Sequence, residues 1–128
     1  MKEKMIRVLK VEPHKQPEIV SLENNLTALQ EAVSIGAGYR GLIELVGLAP
    51  EACILCNEEA KLIGLEPNRR LGQDILCGVF YVTGQNKSGD LTSLPESAMR
   101  YYSELFKKPE DISESEVVKT LVTRFFFC

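Results

Sequence analysis

The residues best suited to recognition chemistry stand together at Asn68, Arg69 and Arg70. A guanidinium presents planar, forked donors matched to a phosphate or a carboxylate. Lys61 and Arg40 extend the cationic set. Tyr39 and Tyr81 offer aromatic faces on which a base can stack. These seven residues form the expected ligand-binding set. The arginines also have a structural alternative, because Asp74 and Glu66 are within reach along the chain. One arginine is expected to anchor the turn into the next strand, and the other to meet a ligand.

The remaining chemistry is sparse. Cys53 and Cys56 have the C-x-x-C spacing of redox and zinc sites. A redox pair needs a helix N-terminus to lower its thiol pKa, and this pair lies in a strand-like run. Strand positions three apart point to opposite faces, so buried apolar cysteines are the expectation. His14 is the sole histidine; as a general base it would need an oriented partner. Glu58 and Glu59 read as a solvated hairpin tip. There is no nucleophile elbow, phosphate loop, zinc-protease helix or dinucleotide fingerprint. The expectation is no catalytic residue, no metal site and no cofactor.

The elements that must hold these residues follow from periodicity. Residues 5–11 read as a strand covered on both faces, with Met5, Arg7, Leu9 and Val11 on one side and Ile6, Val8 and Lys10 on the other. Pro13 ends it. Ser21 is the expected cap of a helix marked by Leu22, Leu26, Leu29 and Val33, stopped by Gly36-Ala37-Gly38. Residues 42–46, 52–57 and 60–63 read as short strands. Residues 64–72 carry the arginines on a loop. Residues 75–83 form the most β-prone strand, with Gly78 marking a bulge or a close backbone approach. Ser93 and Glu96 have capping-box spacing. Ala98, Tyr101, Tyr102, Leu105 and Phe106 make the apolar stripe of the helix that follows, which ends at Pro109. Ser113 and Glu116 repeat the box before a last short helix carrying Val117, Val118, Leu121, Val122 and Phe125. The fold class is α+β: a mostly antiparallel β-meander with an N-terminal strand-helix unit and two C-terminal helices.

The 128 residues suit one domain, 1–128. A net charge of −3 argues against general nucleic-acid binding. No segment approaches the roughly 20 apolar residues of a membrane span. The opening MKEKMIRVLKVEP lacks the apolar core of a signal peptide, which places the chain in the cytoplasm with reduced cysteines. Phe125, Phe126, Phe127 and Cys128 form an apolar end that must be covered by the core or by a partner.

Cys56-Asn57-Glu58-Glu59-Ala60-Lys61-Leu62-Ile63-Gly64-Leu65-Glu66-Pro67-Asn68-Arg69-Arg70, followed by Asp74-Ile75-Leu76-Cys77-Gly78-Val79-Phe80-Tyr81-Val82-Thr83-Gly84, resembles the domain-of-unknown-function family numbered 3846. Ile6 to Pro13 and the helical pattern after it look like its N-terminal half. The resemblance covers about residues 5–106 and leaves a helical extension at about 110–128. It implies origin rather than activity: an accessory protein of phages and mobile elements of Firmicutes, acting in a bacterial host cell. The expected function is therefore a non-catalytic protein that binds an anionic, nucleotide-like small molecule and sequesters a host defence signal. The alternative is a protein-binding inhibitor or adaptor acting on a host defence protein, and a third is an enzyme with an unrecognised site. Self-association into a homo-oligomer is expected from the apolar end and an exposed strand edge.

Overall fold

A computed structural model describes residues 3–49 and 51–126, with the side chains of residues 122–126 set aside. The expected Phe127 and Cys128 end lies outside these residues. β1 (Met5–Val11) opens the chain and pairs antiparallel with β2 (Glu18–Glu23). The connection turns on Pro13 and on His14, whose φ is +65°. A proline followed by a positive φ is the pattern of a type II turn, closed here by the Lys15 N–H on the Glu12 carbonyl at 3.3 Å.

β2 replaces the first half of the expected helix. Val20 and Leu22 alternate inward against the same core as Leu29 and Val33, so sheet pairing accounts for the apolar pattern there. The helix itself, α1 (Leu26–Ala32), is capped by Asn25 rather than Ser21. The Asn25 side-chain oxygen accepts from the Ala28 N–H at 2.9 Å.

β3 (Ile43–Ala49) and β4 (Ala52–Asn57) form the next hairpin. Residues 58–64 are turns, where a returning strand was expected. The arginines stand on a strand, β5 (Pro67–Leu71), paired with β6 (Asp74–Cys77) across Gly72-Gln73. Gly72 at φ +60° supplies the conformation that a two-residue hairpin turn requires.

The β-prone run divides at Gly78 into β6 and β7 (Phe80–Gln85), which belong to different sheets. Gly78 is at φ +72°, and a Cβ there would meet Leu65 at 2.8 Å, so the expected close approach is real. β8 (Leu91–Thr92) borders β7. α2 (Glu96–Leu105) and α3 (Glu114–Phe126) complete the chain.

The fold is α+β and every pairing is antiparallel, in the order β2-β1-β7-β4-β3 with β8 beside β7. Alternation along the strands makes two cores. Ile6, Val8, Cys53, Leu55 and Tyr81 face α1. Leu9, Val11, Ile54, Phe80 and Val82 face α2, which presents Met99, Tyr102 and Phe106. Tyr101 and Leu105 of the expected stripe are exposed. The first capping box does not form, because Ser93 and Glu96 both serve Arg7. The Ser93 hydroxyl accepts from the Arg7 N–H at 2.9 Å, and Glu96 accepts from its guanidinium at 2.9 Å. The second box does cap: the Glu116 N–H donates to the Ser113 hydroxyl at 3.3 Å. Among the described residues no helix is long and apolar enough to cross a membrane.

Candidate functional site

β4 and β7 are paired neighbours, yet 22 residues, 58–79, run between them. That excursion folds back over one end of the sheet as turns followed by the β5–β6 hairpin. Asn68 and Arg69 attach it. The Asn68 amide donates to the Val11 carbonyl at 2.9 Å and the Gly78 carbonyl at 2.8 Å. Its side-chain oxygen accepts from Arg69 Nη1 at 2.7 Å.

Arg69 has 0 % exposure. Its Nε and Nη2 donate to the Phe106 carbonyl at 3.1 and 2.9 Å, and Nη2 also reaches the Lys15 carbonyl at 2.6 Å. Nη1 further contacts the Asn68 carbonyl at 3.2 Å. The guanidinium thus ties β5 to the turn after β1 and to the end of α2. Burial pulls its pKa down, partly offset by Glu110. Five contacts occupy its donors, so neither Arg69 nor Asn68 is placed to meet a ligand.

Arg70 points the other way and is partly exposed. It pairs with Glu110 at 2.8 Å and Glu116 at 2.6 Å, so the expected partners Asp74 and Glu66 are not the ones used. Those two carboxylates hold Lys61 and His14 instead. Donating to Glu116 and Glu110 raises the Arg70 pKa, and accepting from Arg70 lowers that of Glu116. Lys61 also donates to Thr120 at 2.9 Å. Glu116 and Thr120 are one helical turn apart, so Arg70 and Lys61 grip the same face of α3.

The other expected residues lie elsewhere. Tyr81 is 2 % exposed and donates to the Ala32 carbonyl at 3.0 Å. Burial pushes its pKa up to about 12. It is a core residue on the α1 side and offers no free stacking face. Arg40 pairs with Glu31 of α1 at 3.7 Å, next to an exposed Tyr39. The seven residues therefore do not converge on one site. His14 is exposed and meets Glu66 at 3.0 Å, and it does not line the cleft described next.

A concavity lies between the β3–β4 hairpin, the excursion and α3. Its volume is about 370 Å³. Leu42 just before β3, Val46 of β3, Leu62, Leu76 of β6 and Leu121 of α3 supply apolar walls. Glu44, Glu58, Glu59, Lys61 and Asp74 supply charge, and Cys56 and Cys77 supply thiols. Burial, joined by Glu44 and Asp74, pushes the Cys56 thiol up to about 12. Burial likewise pushes Cys77 up to about 11, against the nearby Lys61 ammonium. Both are neutral thiols at neutral pH and poor nucleophiles. Cys53 faces the α1 core, where its sulfur lies 3.2 Å from the Thr83 hydroxyl, so the C-x-x-C cysteines do point apart. Among the described residues, no three His, Cys, Asp or Glu side chains gather as a metal-binding group.

Of the seven expected residues, Lys61 alone lines this cleft. Leu42, Glu44 and Leu121 carry no local signal, since only the tertiary arrangement joins them. The molecule is thus an α+β protein whose sheet carries a hairpin excursion and a cleft beneath a C-terminal helix. The chain belongs to the family described as a domain of unknown function (DUF3846), whose model matches residues 6–107. No curated protein and no solved structure matches it.

Proposed function

We propose that this is a non-catalytic binding protein whose site is the cleft between the β3–β4 hairpin, the excursion and α3. The observation that carries the reading is the concavity itself: about 370 Å³, apolar walls and a few converging polar groups, the form taken by small-molecule sites. Its thiols are protonated at neutral pH, which favours capture over nucleophilic chemistry. The lining carries four carboxylates and one cation, Lys61, which is itself paired with Asp74. Like charges destabilise an anion there, so the ligand that fits is compact, largely apolar, and neutral or cationic at its polar end. An accessory role in a phage or mobile element, including sequestration of a host signal in the host cytoplasm, follows from the family resemblance and is part of the same proposal.

One observation favours a second reading, an anionic, nucleotide-like ligand at a different place. A groove of about 500 Å³ lies where α2 ends, lined by Gln16, Glu104, Leu105, Lys107, Lys108 and Pro109, with Lys108 adding a cation to the Lys107–Glu104 pair. Gln16 and Lys107 of its lining follow, in sequence, Lys15 and Phe106, whose carbonyls Arg69 holds.

Native mass spectrometry of gently purified protein, paired with amide NMR before and after ligand release by heating, separates the two. Retained mass with shifts at Leu42, Cys77 and Leu121 supports the cleft. Shifts confined to Lys107 and Lys108 favour the groove. Shifts at neither place, with a host protein captured instead, would overturn both and favour an inhibitor or adaptor.

A further inference from the structure

α3 begins beyond the residues that the family model matches, yet it completes the cleft wall through Leu121. Its attachment has two parts. An apolar seam brings Ile112 and Val117 onto Ala60, Ile75 and Cys77. A polar clasp adds the Arg70 fork on Glu110 and Glu116, the Arg70 N–H on Glu110 at 3.1 Å, and Lys61 on Thr120. Arg70 thus fastens both the segment leading to α3 and the first turn of the helix.

Among the described residues the seam takes Ile112 and Val117, each less than a tenth exposed, beside an exposed Val118. Neither main core includes a described α3 residue. The described helical residues of those cores belong to α1 and α2. Ion pairs as exposed as those of Arg70 are readily screened by salt. The polar contacts described for α3 can thus be exchanged for water while the sheet stays folded.

We propose that α3 is a releasable cover over the cleft, clasped by Arg70, and that its release is the step that admits ligand. This rests on the cleft being the binding site, but opening can be measured with no ligand present. Cys77 lies under the cover and is 3 % exposed, whereas Cys53 is buried against α1 on the other side of the sheet. The two thiols therefore report on different events.

The experiment is timed iodoacetamide labelling of the full chain, read per cysteine by peptide mass spectrometry, for wild type, Arg70→Gln and Glu116→Gln. Wild type is also labelled in 1 M sodium chloride. The expected result is faster labelling of Cys77, on the order of tenfold in Arg70→Gln, less in Glu116→Gln and in salt, with Cys53 unchanged. Equal Cys77 rates in all four samples would overturn the cover. So would a parallel rise at Cys53, which would make α3 part of the global fold. Faster Cys77 labelling without ligand at the cleft would leave the cover standing and remove the binding site beneath it.

Discussion

Arg69 and Arg70 are consecutive residues of one strand with opposite uses. Arg69 turns inward and is solvated entirely by protein oxygens. Arg70 turns outward and is held by two carboxylates at the surface. The same contrast separates the polar attachments they make: the excursion is tied to the sheet by buried, fully paired polar side chains, while the polar ties of α3 to the excursion are exposed charges beside an apolar seam. A buried donor set cannot be exchanged for water without leaving acceptors unpaired, whereas an exposed ion pair can. The molecule thus has one buried polar joint and one exposed one, joined back to back through β5.

Arg69→Ala is the largest expected loss. It strips partners from the carbonyls of Phe106 and Lys15 and from Asn68, and unsatisfied buried groups cost about 1–3 kcal/mol each. A urea unfolding curve should show a loss of about 3 kcal/mol or more; a loss below about 1 kcal/mol would deny Arg69 its anchoring role. Next comes Gly78→Ala, which forces a Cβ against Leu65 at a positive φ. About 2 kcal/mol is expected, and a Leu65→Ala background should recover part of it by removing the clash.

Alkaline pH gives a smaller effect that weighs on the cleft side. The buried Cys56 and Cys77 thiols keep their protons until about 12 and about 11. Unfolded thiols release theirs near pH 8.5. Between those values the unfolded chain holds fewer protons than the native one, so stability falls as pH rises. The melting temperature should drop from pH 8.5 to 10.5, and the drop should shrink in Cys77→Ala. A drop of equal size in that variant would remove Cys77 from the explanation. The smallest global effect belongs to Arg70→Ala. Its urea midpoint should match wild type within error, and a large shift would erase the contrast between the two arginines.

The sequence made some of this architecture legible. β1, β4 and the split of Cys53 from Cys56 follow from strand alternation alone, because both faces of those strands are buried. The C-terminal helix start follows from Ser113 and Glu116. Other features depended on contacts distant in the chain. Glu18 to Glu23 became a strand because β1 offered it an edge. Ser93 and Glu96 left their box because Arg7, more than 80 residues away, took both of them. The arginine stretch was recognisable as special, but its partners were misassigned: Phe106, Glu110 and Glu116 lie far downstream, and local spacing favoured Asp74 and Glu66. The cleft was least legible, since its walls come from four separated segments and its charge comes mainly from carboxylates rather than the arginines.

The route of residues 58–79 has a consequence for how such a chain can diversify. The segment departs at the end of β4 and rejoins at the start of β7, two strands already bonded to each other, so its ends sit side by side. It behaves as an exchangeable module plugged into a completed chassis. Length and composition can change at its turns without disturbing the strand order, provided the Asn68 and Arg69 plug still fits its socket.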